Sequence, residues 1–280
     1  MKIEIARDCG FCFGVKRAVK IAEESGGAPT IGELIHNAQE IERLEKDYGV
    51  KTYASIEELK GEKKVVVRTH GITKGDLQTL QADGVEVVDA TCPFVQKPQK
   101  IAREMSEKGY EIVVFGDANH PEVRGVVSYC ETPTYVVLDE SELEPIKLSS
   151  KVAVLSQTTK KAEKFGKIVA YLTRRCKEVR VFNTICNATL KNQDAVRDLA
   201  TKADVMVIVG GKNSSNTKQL HLIAKSICQN SYHVEKEEEL EAAWFEGKKF
   251  CGVSAGASTP EWIIKKIVAR IEKLSQNPNF

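Results

Sequence analysis

Short apolar runs alternate along this chain with longer stretches whose apolar residues repeat at helical spacing, which predicts strands followed by helices. Three of the runs are each followed by a polar turn, a cysteine and a predicted helix. The runs span residues 3–6, 85–88 and 179–182, and the cysteines that follow them are Cys12, Cys92 and Cys186. The recurrence of the same order indicates three copies of one structural unit.

Each copy continues with further apolar runs, and an acidic stretch of predicted helix lies before the last of them. These later runs cover residues 65–67, 112–115, 152–155, 205–209 and 253–255, and the acidic stretches cover 55–59, 140–144 and 237–241. Strands that alternate with helices predict parallel sheets covered on both faces, that is, an α/β fold. Ligands bind such sheets beyond the carboxyl ends of the strands, and polar residues cluster there in all three copies.

Composition and charge limit the binding partners and the cellular compartment that we expect for this protein. Of 280 residues, 29% are charged and 42% hydrophobic, and the net charge is only +2, so neither nucleic acid nor a membrane is expected as a partner. No apolar run approaches the ~18 residues of a membrane span. The start of the chain carries an early acid, Glu4, unlike a signal peptide. We therefore expect a cytoplasmic protein whose eight cysteines are not disulfides.

The three equivalent cysteines are candidate metal ligands. Each precedes a predicted helix, and a helix N-terminus favours the thiolate form. Three thiolates suit an iron–sulfur cluster with one iron left open, and zinc is the competing metal. Cys9 forms a Cys9-x-x-Cys12 pair but lacks a thioredoxin-like context, so its role stays open. The other four are interpreted as buried packing residues: Cys130, Cys176, Cys228 and Cys251.

Histidine, serine and asparagine side chains at strand ends are candidate anion ligands. His36, His70 and His120 occupy such positions, and charge-assisted hydrogen bonds from histidine suit phosphate oxygens. Further candidates lie where helices are predicted to begin: Ser214, Ser215, Asn216 and Ser258. The same residue types also cap helices, so their pattern alone leaves capping and anion binding both open.

Two more segments allow either a structural or a catalytic role. His120-Pro121-Glu122 is a good helix opening, because proline suits the first helical position, but Glu122 could also relay a proton. Gln157-Thr158-Thr159 could cap a helix or orient a substrate hydroxyl group.

Together these motifs resemble the LytB/IspH family of 4-hydroxy-3-methylbut-2-enyl diphosphate reductases over nearly the whole chain. The resemblance is carried by residues 10–15, 35–37, 69–71, 89–93, 120–123, 157–159, 185–189, 212–216 and 255–258. It implies an α/β trefoil of three pseudo-symmetric domains, each a small, mostly parallel sheet flanked by helices. The domains are expected at residues 1–84, 85–178 and 179–280, around one [4Fe–4S] cluster per chain.

The resemblance also implies an activity and residue roles. The activity is reductive dehydroxylation of the allylic diphosphate to isopentenyl and dimethylallyl diphosphates, the last step of the non-mevalonate isoprenoid pathway. Cys12, Cys92 and Cys186 would bind the cluster, Glu122 would deliver protons, and Thr158 would contact the substrate hydroxyl. The implied diphosphate ligands are His36, His70, His120, Ser214, Asn216 and Ser258, with Ser215 and Thr159 nearby. Ferredoxin or flavodoxin would donate single electrons.

Two other functions fit the residue pattern less completely. A non-enzymatic iron–sulfur sensor or electron carrier would use the cluster but not the polar groups, although a carrier more often has four cysteine ligands. A zinc-stabilised phosphate-binding protein would use the polar groups without iron. Metal analysis together with an activity assay separates all three.

Overall fold

The computed structural model describes residues 1–276, in which β-strands and α-helices alternate along the chain. The strands are β1 (Lys2–Ile5), β2 (Thr30–Ile31), β3 (Thr52–Tyr53), β4 (Lys64–Val67), β5 (Glu86–Asp89), β6 (Glu111–Phe115), β7 (Thr134–Val137), β8 (Lys151–Ser156), β9 (Glu178–Phe182), β10 (Val205–Val209), β11 (Ser231–Val234) and β12 (Phe250–Ala255). The helices are α1 (Phe13–Glu23), α2 (Ala38–Tyr48), α3 (Lys74–Ala82), α4 (Pro93–Glu107), α5 (Pro121–Val127), α6 (Ala162–Arg175), α7 (Asn187–Ala200), α8 (Ser215–Ile227) and α9 (Glu261–Gln276).

The described strands form three four-stranded sheets in which every pair is parallel, so the predicted α/β class is confirmed. The chain divides into two compact units, described separately below. The first unit comprises residues 1–16, 35–43 and the described chain from 187 onward. The second comprises residues 17–34 and 44–186.

The second unit holds two of the sheets, and both have the same strand order. The order is β3-β2-β4-β5 in one and β7-β6-β8-β9 in the other. The central strands are almost fully buried, as their valine-rich runs require, whereas β5 and β9 are partly exposed edge strands. In each sheet the last strand in this order is the one that leads to a cysteine.

The first unit repeats that order with strands from opposite ends of the sequence. Its sheet runs β11-β10-β12-β1, and β1 pairs in register with β12 from Lys2↔Phe250 to Ile5↔Val253. Alternate residues of β10 face two different helix layers: Val205 and Val207 join a core with α9, and Met206 and Ile208 join one with α7 and α8. Both faces of the sheet are therefore covered.

The strands of one sequence copy do not all belong to the same sheet. The strand before Cys92 belongs to the first sheet along the chain, and the strand before Cys186 belongs to the second. Likewise, the strand before Cys12 completes the sheet built from residues 205–255. The first strand of each sequence copy is therefore an edge strand in the sheet of another copy. The cysteine and the helix that follow this strand lead into the copy's own sheet. The predicted domain limits at residues 84 and 178 remain a prediction.

Three short edge strands lie outside the sequence prediction, and the acidic stretches are shorter helices than expected. The edge strands are β3, β7 and β11, which begin with Thr-Tyr, Thr-Tyr and Ser-Tyr. The sequence signal for these edge strands was therefore a threonine or serine followed directly by tyrosine. The acidic stretches form single 3-10 turns, at Glu57–Leu59, Glu140–Leu143 and Glu237–Glu239. Within the described residues, no helix is both long and apolar enough to cross a bilayer.

Candidate active site

The three equivalent cysteines are anchored in the same way at the carboxyl ends of their sheets. The backbone N–H of Cys12 donates to the carbonyl of Ala257 at 3.2 Å. The N–H of Cys92 donates to Thr69 O and that of Cys186 to Thr158 O, both at 3.0 Å. In every case the acceptor lies just beyond the penultimate strand of the sheet, β12, β4 or β8.

Each of these cysteines also immediately precedes a helix: α1, α4 or α7. All three are partly buried. The thiolate form of cysteine is the form that binds metals. The donor type and the repeated backbone geometry therefore make each of the three cysteines a candidate ligand of a thiophilic metal.

The other cysteines only partly match their interpretation as packing residues. Cys228 and Cys251 are buried, as predicted, and burial raises the pKa of the Cys251 thiol to about 12. Cys130 and Cys176 are only partly buried, although Cys130 still packs against a hydrophobic core as predicted. Cys130 follows α5 through a turn instead of ending a strand, and Cys176 ends α6 at the surface. Burial and the charge of Asp8 raise the pKa of Cys9, which disfavours its thiolate form.

Glu122 is a buried carboxyl group at the start of α5. His120 is the N-cap of this helix, and its Nδ1 accepts the backbone N–H of Glu122 at 3.2 Å. Pro121 occupies the first helical turn, as predicted. The side chain of Glu122 is only 1% exposed, so its charged form loses nearly all contact with water.

Thr158 holds both oxygens of that carboxyl group. Its backbone N–H donates to Oε1 of Glu122 and its hydroxyl donates to Oε2, each at 2.7 Å. The carbonyl of the same residue accepts the N–H of Cys186. Thr158 therefore links a candidate metal ligand to a buried acid, and it does not cap a helix, since α6 begins only at Ala162.

Burial raises the pKa of Glu122 from 4.5 to about 7, which the two hydrogen bonds from Thr158 and the charge of Lys160 oppose. Lys160 is itself buried, and burial lowers its pKa. A carboxyl group with a pKa near neutrality can both hold and release a proton at physiological pH. Perturbed acids of this kind are typical of active sites.

Further polar and ring contacts in the same unit are formed by residues next to Thr158 and Glu122. Gln157 accepts the backbone N–H of Asp117 at 3.0 Å and donates through Nε2 to the Thr159 hydroxyl at 3.2 Å. The rings of His70 and His120 lie edge to face with centroids 5.3 Å apart. The structure thus brings together two of the three predicted histidines, and it places Thr159 beside Gln157.

The first unit holds the remaining predicted polar residues. The Ser258 hydroxyl donates to the backbone carbonyl of His36 at 3.0 Å. Ser214 is the N-cap of α8, because its Oγ accepts the N–H of Thr217 at 3.3 Å, and Ser215 is the first helical residue. The capping role left open by the sequence is therefore real for Ser214.

Asn216 is different, because neither polar atom of its buried side chain has a hydrogen-bond partner within residues 1–276. The side chain is only 4% exposed. An unsatisfied buried amide costs roughly 1–3 kcal/mol, which a polar ligand at this position would offset. Asn216 therefore fits a ligand contact better than a purely structural role.

Other buried polar groups in this unit were not predicted from the sequence. Within the described chain, side-chain atoms of four further residues lack partners: Asn192, Gln193, Thr217 and Ser254. They lie on α7, α8 and β12. The sequence of α7 contained a signal for two of them, because Asn192 and Gln193 lie on the buried face of this helix, which becomes apolar at Val196.

Known proteins share this fold and these motifs. The family model described as LytB protein matches residues 3–272. A 4-hydroxy-3-methylbut-2-enyl diphosphate reductase of Campylobacter fetus subsp. fetus is 65% identical, over 98% of this chain and 99% of that protein. The protein of the same name from Campylobacter concisus is 64% identical, over 98% of this chain and 100% of the other.

Solved structures agree with these matches. The structure titled as (E)-4-hydroxy-3-methyl-but-2-enyl diphosphate reductase, the terminal enzyme of the non-mevalonate pathway, is 41% identical with a TM-score of 0.70. The alignment covers 97% of this chain and 99% of that one. A Plasmodium falciparum reductase structure, at 24% identity and a TM-score of 0.90 over 95% of this chain and 86% of its own, supports the fold. The resemblance seen in the sequence is confirmed: the chain belongs to the LytB protein family.

Proposed function

We propose that this chain is an iron–sulfur reductase that removes the hydroxyl group of 4-hydroxy-3-methylbut-2-enyl diphosphate and forms isopentenyl and dimethylallyl diphosphates. The substrate class follows from the names of relatives that match nearly the whole chain. The structural observation that carries the proposal is the buried Glu122 carboxyl group, which Thr158 holds through both of its oxygens. Replacing a hydroxyl group by hydrogen requires two electrons and two protons and releases water, so the reaction needs a proton donor, a role that Glu122 can fill.

Cys12, Cys92 and Cys186 would hold one [4Fe–4S] cluster per chain. Their support is the shared backbone anchor and the shared position before a helix. Three protein ligands leave one iron for another ligand. When bound, the cluster supplies single electrons and a Lewis-acidic iron. The electrons would come from ferredoxin or flavodoxin.

Thr158 and Glu122 would deliver the proton to the leaving hydroxyl group. When Glu122 is protonated, its carboxyl O–H would donate to the Thr158 hydroxyl oxygen across the contact between these two groups, and the Thr158 proton would then point to the leaving hydroxyl group. A proton could then pass from Glu122 through Thr158 to the leaving oxygen. The near-neutral pKa of Glu122 allows the acid to be reprotonated after each turnover.

Polar side chains at the ends of strands and the starts of helices would hold the diphosphate. The proposed contacts are His36, His70, His120, Ser214, Asn216 and Ser258, with Ser215 and Thr159 nearby. Asn216 provides the clearest support, because both polar atoms of its buried amide lack partners in the described chain. Histidine and amide donors bind phosphate oxygens through hydrogen bonds, and fixing the diphosphate also fixes the allylic chain for reaction.

The decisive experiment is anaerobic purification with iron and sulfide counting, followed by turnover of the allylic diphosphate with a low-potential reductant. We expect iron, sulfide and conversion together. Iron without conversion would favour a sensor or carrier, and zinc without iron would favour the zinc-stabilised phosphate-binding protein. Glu122→Gln should abolish turnover and retain iron, whereas Glu144→Gln, at an exposed glutamate, should keep both.

The cysteine assignment has its own test. Alanine at Cys12, Cys92 or Cys186 should remove most of the bound iron. The partly exposed Cys130 and Cys176 provide matched controls, which should keep wild-type iron when changed to alanine. Equal iron loss in the controls, or full iron retention in the three variants, would contradict the assignment.

A further inference from the structure

A polar cavity of about 180 Å³ lies at the carboxyl ends of β2, β3 and β4, within the second unit. We call it the Arg68 cavity. The residues that matter to its chemistry are Gly32, Ser55, Arg68, Thr73, Asp76 and Arg124. Crevices beyond the carboxyl ends of parallel strands are the usual ligand sites of such sheets. No residue with a role in the proposed function lines this cavity.

Arg68 is held so that its terminal nitrogens are available to a ligand. Its Nε–H donates to the carbonyl of Gly71 at 3.2 Å, whereas its two terminal nitrogens make no hydrogen bond within residues 1–276. The guanidinium lies against Gly32, where an added Cβ atom would clash with Nη1 of Arg68 as it is placed. Gly32 also has φ +69°, a left-handed backbone conformation that favours glycine, and its lack of a Cβ leaves room for the guanidinium in this position.

A second arginine, Arg124, lines the same cavity and also lacks an ion-pair partner in the described chain. Burial lowers the pKa of Arg68, and the charge of Arg124 lowers it further, against opposing effects of Asp76 and Glu33. Two like charges in a partly buried space repel each other. A bound oxyanion would relieve that repulsion, and planar guanidinium groups suit phosphate and carboxylate oxygens.

The remaining wall of the cavity can accept hydrogen bonds. Asp76 lies in the first turn of α3, and its side chain forms no ion pair within the described residues. The other acid, Glu57, is engaged by Ser55 and by its own backbone, which lowers its pKa. Asp76 would repel a bare anion, but it can accept a hydrogen bond from a ligand hydroxyl group. The lining therefore favours a ligand that carries both a phosphate and a hydroxyl group.

We propose that the Arg68 cavity binds a small hydroxylated phosphate ester, with Arg68 and Arg124 on the phosphate and Asp76 on a hydroxyl group. The proposal is independent of the reductase function, since it concerns other residues. It assigns a binding role to Gly32 as well, because the glycine makes room for the guanidinium that would contact the phosphate.

The test is calorimetric titration of the full chain with glycerol 1-phosphate and with inorganic phosphate. We expect glycerol 1-phosphate to bind more tightly, and Arg68→Gln and Arg124→Gln each to weaken its binding at least tenfold. Asp76→Asn should remove the preference for the hydroxylated ligand. Arg124 is exposed, so its variant should fold normally even if Arg68→Gln does not.

Two matched variants make the outcome decisive. Arg103→Gln removes an exposed arginine that pairs with Glu107, and it should leave binding unchanged. Asn216→Ala alters the proposed substrate contacts and should also leave this binding unchanged. Wild-type affinity in Arg124→Gln, or equal loss in Arg103→Gln, would overturn the proposal. Loss only in Asn216→Ala would assign the binding to the proposed substrate position and would overturn it too.

Discussion

Thr158 contacts Glu122 twice and Cys186 once, so a single residue fixes both the proposed proton donor and a proposed cluster ligand. Its N–H and hydroxyl donate to the two carboxyl oxygens, and its carbonyl accepts the N–H of Cys186. A shift of Thr158 would therefore move the acid and the cysteine together. The proposed proton delivery and the proposed cluster binding are thus linked through one short segment after β8.

The stability of the protein should depend on pH through Glu122. Its folded-state pKa of about 7 lies above the ordinary value of 4.5, so the folded protein holds this proton more tightly than the unfolded chain. The resulting stabilisation is fully present below pH 4.5 and is lost as the pH rises through 7. The loss should amount to at most about 3 kcal/mol.

Glu122→Gln should remove this part of the pH dependence, because glutamine stays neutral. The free energy of unfolding, measured by denaturant titration from about pH 5 to about pH 8, should fall less in the variant than in the wild type. Glu144→Gln is the control and should follow the wild-type curve. Parallel curves for wild type and Glu122→Gln would mean that the Glu122 carboxyl group does not change its protonation state over this pH range.

Thr158→Val should shift the pH dependence of turnover. The change removes the hydroxyl donor to Glu122 and leaves the backbone N–H in place, so the pKa of Glu122 should rise above 7. The loss of activity at high pH should then begin at a higher pH, and turnover should fall about 100-fold because the relay is broken. Thr158→Ser keeps the hydroxyl and should restore both. An unshifted profile in Thr158→Val would contradict the relay.

Ser214 and Asn216 should differ in stability although both are proposed to bind diphosphate. Ser214→Ala removes the cap of α8 and should cost about 1 kcal/mol. Asn216→Ala removes a side chain without partners in the described chain and should cost less. Denaturant titration measures the first effect, and binding of inorganic diphosphate should weaken in both variants. Equal destabilisation would show that Asn216 has a structural partner.

Gln193 and Gln157 offer a matched pair of buried amides. The Nε2 of Gln193 has no partner within residues 1–276, whereas Gln157 bonds through both amide atoms. Methionine is similar in size and apolar, so Gln193→Met should stabilise the protein by about 1 kcal/mol and Gln157→Met should destabilise it. Thermal or denaturant unfolding measures both. Destabilisation by Gln193→Met would indicate that this amide holds an ordered water or ligand in solution.

Much of the fold was predictable because apolar runs mark buried parallel strands. The runs around Val65, Val113, Val154 and Val207 became central strands. The short edge strands could not be found this way, since Thr52–Tyr53 is only two residues long and partly exposed. The pairing of Lys2–Ile5 with Phe250–Ala255 could not be predicted either. The residue pattern of each segment indicates a strand, but it does not indicate which other strand is its partner.

Site residues could be predicted where both the residue type and its position relative to a strand or helix end indicated a role. Residues identified only by their contacts or burial could not be predicted. His120-Pro121-Glu122 opens α5 as expected, but only the coordinates bring Glu122 to Thr158. The unpartnered amides of Asn192 and Gln193 are recognisable only once burial is known. Exposure of Cys176 depends on where α6 ends relative to the surface, which spacing alone does not determine.

The union of β1 with β12 has a consequence for synthesis on the ribosome. Lys2–Ile5 leaves the exit tunnel long before its hydrogen-bonding partner Phe250–Ala255 is translated. Until then the segment that leads to Cys12 has no sheet to join, whereas β5 and β9 can join completed neighbours at once. Loading of the proposed cluster at Cys12 should therefore come late in maturation, after β12 has been translated.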